Sequence, residues 1–197
     1  MLLVVGARGG NDSASPLNCY FIVTKATTNF SLAGRLKARM NLKFAEVRAM
    51  GNWSRIETQK DIDLLMEIYS DFHDFCIVSL NFQSGAFVDD DMAMHFGSAE
   101  ERILSVIFQC QWEPKAIELQ FSGLRQMHLI GWQDNYMCDI SSAYLAFHNN
   151  LLPGEPGRVI VWSDTDWFNV EKIDNSIHEP ADTYIVANSL RWRIVDK

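Results

Sequence analysis

Apolar and polar residues alternate clearly in the middle of the chain, where residues 71 to 82 run Asp-Phe-His-Asp-Phe-Cys-Ile-Val-Ser-Leu-Asn-Phe. Cys76, Val78, Leu80 and Phe82 fall on one face at period two, with Ser79 and Asn81 on the other, which predicts a strand. Ahead of it, Ile62, Leu65, Met66 and Tyr69 recur at helical spacing. Thr58-Gln59-Lys60-Asp61 supplies a capping start, so a helix is predicted from residue 58 to about 70.

Beyond Phe82, alternation and breakers predict a run of short strands. Phe87-Val88 opens one, Asp89-Asp90-Asp91 makes a charged bend or bulge, and Met92, Met94 and Phe96 continue it. Leu104, Val106, Phe108, Cys110 and Trp112 form the clearest apolar face in the chain. Ile117, Leu119 and Phe121 alternate with Glu118 and Gln120 until Gly123 breaks the pattern, and Met127 and Leu129 resume it. Residues 136–147 read as strand on their Tyr, Ile and Phe content, and 149–157 as a loop rich in Asn, Pro and Gly. Residues 158–162, 167–173, 184–188 and 190–195 supply the closing strands. The expected fold class is α+β, mostly β: one helix, then an antiparallel meander of about eight strands forming an open barrel or a two-layer sheet.

Charge changes this picture at the N-terminal end. The net charge is −8. Residues 1 to 49 hold seven basic and two acidic residues, a net +5; residues 50 to 197 hold ten basic and twenty-three acidic, a net −13. All six Trp and all five His lie after residue 49. Residues 1–49 are therefore expected to be a poorly organised basic extension, and 50–197 a single folded domain. Leu32, Leu36, Met40, Phe44 and Val47 share a face in the extension, which leaves a basic amphipathic arm as an alternative there. Met50 is the expected true start, because Glu46-Val47 can be encoded by a ribosome-binding sequence at a suitable distance ahead of it.

No apolar run approaches the length of a transmembrane helix, and the first residues lack the basic region of a signal peptide. Cys19, Cys76, Cys110 and Cys138 have no CxxC spacing. Together these lead to the expectation of a cytoplasmic protein. The acidic balance of residues 50 to 197 argues against nucleic acid as a partner, and nothing implies a membrane.

Chemistry-bearing residues are few. His73-Asp74, at the step from helix to strand, is the candidate polar signature. The pair has the residue types of a general base with its orienting carboxylate, or of a metal-ligand pair. Neighbours on a strand point to opposite faces, so a backbone hydrogen bond that fixes the turn is the expected role. His95, His128, His148 and His178 show no ligand spacing, and Asp89-Asp90-Asp91 lacks the spacing and central Gly of a calcium loop. No catalytic, cofactor or metal residue is assigned. The Trp residues are core and rim, or else the lining of a ligand cavity.

The helix, then Phe72-His73-Asp74 entering a strand, then Ile117-Glu118-Leu119-Gln120-Phe121-Ser122-Gly123-Leu124 among meandering strands, resembles a group of small uncharacterised bacterial proteins. In them a hydrophobic-His-Asp step precedes the first strand. Some are similar to immunity proteins that neutralise toxins of polymorphic toxin systems. The resemblance follows the order of elements from about residue 55 to 195 and carries over no binding residue. It implies a non-enzymatic bacterial protein-binding domain, and the acidic charge then favours a basic protein partner. Two other functions stay open: a small-ligand-binding β barrel, and a metal-dependent hydrolase using scattered His and Asp.

Overall fold

The computed structural model describes residues 53–113, 115–130, 138–173 and 182–195. The expected basic extension, residues 136 and 137 of the strand predicted over 136–147, and His178 lie outside the described residues; residues 138–143 make only isolated bridges, and that strand begins at Tyr144. The elements are β1 (Ser54–Ile56), α1 (Gln59–Ile68), β2 (Cys76–Gln83), β3 (Phe87–Val88), β4 (Met94–His95), β5 (Ile103–Gln109), β6 (Ala116–His128), β7 (Tyr144–Asn149), β8 (Arg158–Ser163) and β9 (Tyr184–Ile194). Seven strands form one open antiparallel sheet in the order β2-β5-β6-β9-β8-β7, and β1 pairs with the far half of β9. β3 and β4 form a separate two-stranded hairpin. Among the described residues this is the mostly antiparallel β fold with one α-helix that the alternation predicts.

The helix starts where its capping residues place it. The Asp61 carboxylate accepts from the backbone N–H groups of Thr58 (2.8 Å) and Glu57 (3.0 Å) and from the Thr58 hydroxyl (2.9 Å). The Thr58 amide, first among these, holds the Asp61 carboxyl below the usual range. Ile62, Leu65 and Ile68 are buried, and so is Tyr69 after them. They pack on the face of the sheet that carries Leu104, Val106 and Phe108 of β5, Ile117, Leu119 and Phe121 of β6, and Leu190 and Trp192 of β9. A smaller cluster covers the other face of β8 and β9, where Phe168 and Ile173 lie with Val159, Val161, Tyr184 and Val186.

Four expectations are corrected. In β2 the pairing with β5 slips by one residue between Ile77 and Ser79. Val78 is the extra residue of a β-bulge, which switches the strand's faces. Ile77 is therefore buried and Val78 is 43% exposed, and Leu80 and Phe82 then pair across from Val106 and Leu104. Gly123 does not end its strand, because β6 runs through it to His128. Its φ of +67° and the Asn188 side chain pressed on it, 2.5 Å from where a Cβ would stand, explain the glycine without a break. Residues 167–173 are not a strand: Asn169 Oδ1 accepts from the Glu171 N–H (3.0 Å) and the chain turns through a short 3-10 helix, Val170–Lys172. The two strands predicted over 184–188 and 190–195 are one, β9. β1 joins the sheet from a stretch with no strand pattern of its own.

Candidate functional site

Between α1 and β2 the chain turns sharply. Ser70, Asp71, Phe72 and Asp74 all have positive φ, between 49° and 61°. Such residues carry strain of about 1–2 kcal/mol each for an L-residue, so the surroundings must hold them. Two things do. Phe72 and Phe75 are completely buried. And the corner bonds to the chain leading into β7: Asp74 N–H to the Ile140 carbonyl (2.9 Å), Ile140 N–H to the Phe75 carbonyl (2.7 Å) and Ala143 N–H to the Asp71 carbonyl (2.7 Å). This bridge ties the leader of one edge strand to the leader of the other.

His73 sits on that seam. Its Nδ1 lies 2.7 Å from the Ser141 carbonyl, so the ring N–H there is the donor. Nε2 then stands 3.7 Å from Asp74 Oδ2, beyond hydrogen-bond distance. Both side chains are at least half exposed. The arrangement fastens a turn at the protein surface. Among the described residues no group of three or more His, Cys, Asp or Glu is placed to hold a metal. His73→Ala is expected to lower stability by about 0.5–1.5 kcal/mol, one hydrogen bond's net worth, and to leave metal content unchanged. Thermal melts and metal analysis of both proteins check this; stoichiometric zinc lost with His73 would contradict it.

The other described histidines also have partners. His128 Nδ1 meets the Asp182 carbonyl (3.0 Å) and His148 Nε2 meets the Tyr144 hydroxyl (2.7 Å). Burial pushes the His148 pKa down. His95 Nε2 lies 2.6 Å from Asp89 Oδ2, and its ring stacks on Phe87 at 4.7 Å.

That last pair belongs to an arm that leaves the sheet between β2 and β5. At its neck Gly85 and Gly97 pass so closely that a Cβ on Gly97 would stand 2.5 Å from the Gly85 carbonyl oxygen. Above the neck, β3 and β4 pair Phe87 with His95 and Val88 with Met94. Asp89 organises the turn: its Oδ1 accepts from the N–H groups of Ala93 (2.9 Å) and Asp91 (3.1 Å). The His95 contact, foremost, holds its carboxyl below the usual range. Of the three acids read as a solvated bend, Asp89 is thus the turn's anchor.

The arm shows its apolar side chains to solvent. Phe82 at its root, then Phe87, Val88, Met92, Met94 and Phe96 are between 51% and 83% exposed. Single exposed apolar residues are ordinary, but six along one short excursion are not. A two-stranded hairpin alone in water is marginally stable, so this one rests on its turn bonds and its neck. Residues 83–101 also hold five acids, Asp89, Asp90, Asp91, Glu100 and Glu101, and no Lys or Arg. The alternation placed Phe87, Val88, Met92, Met94 and Phe96 on strands but gave no hint that they face water. The signal available was this unrelieved acidity among apolar residues, which suits no core strand. The chain has no match among protein-family models, curated proteins or solved structures.

Proposed function

We propose that the chain is a non-enzymatic protein-binding module that docks a basic partner through the β3–β4 arm. The observation that carries it is the arm's six exposed apolar side chains, set among five acids with no Lys or Arg. Aromatic and Met side chains supply most of the energy at interface centres, and a ring of acids selects a partner whose apolar patch is rimmed by Lys and Arg. The net charge of −8 steers the same partner from a distance. Some members of the group that the sequence resembles are similar to immunity proteins, which gives this a specific form, in which the partner is a basic toxin made inactive by the complex. A ligand-carrying barrel has less support, because Tyr69, Phe72, Phe108 and Trp162 fill the face that such a cavity would need.

The test compares the full chain with the triple variant Phe87→Ser, Met94→Ser, Phe96→Ser, none of which is buried. Proteins from the source cells retained by the wild type but not the variant are identified, purified and titrated against both. Saturable binding that weakens with salt and falls at least about 100-fold in the variant is expected, since truncated hot-spot residues cost about 2 kcal/mol or more each. Binding that the variant leaves unchanged would overturn the proposal. So would an arm that only joins two copies of the chain, seen as concentration-dependent dimerisation lost in the variant.

A further inference from the structure

Arginines gather where the partner of β9 changes: Arg55 and Arg191 on the face of the sheet away from α1, and Arg158 from the first position of β8. β8 pairs with β9 as far as Ala187, and β1 pairs with it from Leu190 onward. A cleft of about 320 Å³ opens at this junction, lined by Arg55, Arg158, Arg191, Gln120, Ser122 and Ser189 among others. Pairing fixes the floor: Arg191 lies across from Gln120 on one side and from Arg55 on the other, and Ser189 lies across from Ser122. Gln120, Ser122, Ser189 and Arg191 alternate with the buried Leu119, Phe121, Leu190 and Trp192, and Arg55 precedes the buried Ile56, so all five share the opposite face.

The three arginines lack carboxylate partners among the described residues. On the next rung of the same face, Arg193 meets Glu118 through Nε (2.8 Å) and Nη2 (2.6 Å). Arg55, Arg158 and Arg191 have no such ion pair within 4.0 Å, in a chain whose acids outnumber its Lys and Arg by 25 to 17. Arg55 and Arg191 stand directly opposite, a like-charge pair that weakens a sheet. Two of the three guanidiniums are also held in place. Arg191 Nε donates to Gln120 Oε1 (2.7 Å) and lies 4.3 Å over Trp53; Arg158 Nη1 donates to the Glu57 carbonyl (3.1 Å) and lies 4.2 Å over Phe147. Each keeps N–H groups to spare.

We propose that this cleft binds a small phosphorylated molecule through its phosphoryl group. Three guanidiniums with one lining acid, Glu57, leave two positive charges, which a phosphate monoester dianion matches. Forked guanidiniums grip phosphate oxygens bidentately, and the two serine hydroxyls donate to the remaining ones. The volume stands at the lower end of the range for small-molecule sites. The cleft meets the base of the arm's segment, where its lining Asn188 donates to Glu100 Oε1 (3.0 Å), but none of the arm's exposed apolar residues lines it.

Titration of the full chain with inorganic pyrophosphate, phosphate and citrate, at matched ionic strength, tests it. Saturable one-site binding of pyrophosphate, tighter than citrate, is expected. Arg55→Gln and Arg191→Gln each weaken it about tenfold or more, since hydrogen bonds to charged groups are the strong ones. Lys60→Gln, which removes an equal charge from exposed α1, leaves it unchanged. Without ligand, Arg55→Gln melts at the wild-type temperature or higher, because it relieves a like-charge rung. No saturation at millimolar pyrophosphate, equal binding of citrate, or equal weakening by Lys60→Gln would each overturn the assignment. The arm variant is expected to bind pyrophosphate normally.

Discussion

Val106→Asp is expected to leave almost no folded protein. Val106 is completely buried at the centre of β5, with Leu80 of β2 across from it on one side and Leu119 of β6 on the other. Leu104 and Phe108, two residues away in each direction, are buried on the same face. The arginines of β9 next to this sheet position, Arg191 and Arg193, make their side-chain bonds to Gln120 and Glu118 on the opposite face. A carboxyl placed there must give up water without a partner, or take up a proton and still leave polar atoms unmatched. Either costs several kcal/mol, comparable with a whole domain stability of about 5–15 kcal/mol. Far-UV circular dichroism during heating checks it. A cooperative melt near the wild-type temperature would mean that Val106 is not in the core.

Phe72→Ala is expected to cost about 3–5 kcal/mol, several times the loss from His73→Ala beside it. The Phe72 ring lies 5.3 Å from both Phe75 and Phe108 and 6.1 Å from Tyr69, so one side chain joins helix, corner and sheet. Its backbone is left-handed, φ 61°, and the alanine keeps that strain while losing the packing that offsets it. Urea midpoints of the two single variants make the comparison. Equal losses would show that the polar residue, and not the aromatic one, holds the corner.

The contrast between these neighbours bears on what a sequence displays. His73-Asp74 drew attention because such residues carry chemistry. Their apolar neighbours Phe72 and Phe75 do the structural work. Where local rules suffice, the pattern was legible: Leu104, Val106 and Phe108, the Ile117-Leu119-Phe121 face, and the Thr58–Asp61 cap all stand as spacing predicts. The bulge at Val78 was not, because one extra residue leaves the alternation looking intact while reversing which half faces the core. β1 was not, because three residues acquire strand character only from β9, far along the chain. The exposed arm and the arginine cleft were hidden for the same reason. Whether Phe87 faces solvent, or Arg55 faces Arg191, depends on pairing between distant segments and not on either segment's composition.

The order in which the strands arrive sets how this molecule can be made. β9 comes after every other strand of the described sheet, yet it lies between β6 and β8 and receives β1. A nascent chain that has reached residue 182 holds β2-β5-β6 as one ribbon and β7-β8 as another, with no strand to join them and nothing for β1 to pair with. The buried Leu190 and Trp192 are also still missing, so Tyr69 and the helix face lack part of their cover. β6 reaches β9 across more than fifty residues and β1 reaches it across more than a hundred, and closing loops of such length slows folding. Until β9 is delivered, β6 offers a long bare edge to any passing strand, the state in which chains of this kind aggregate.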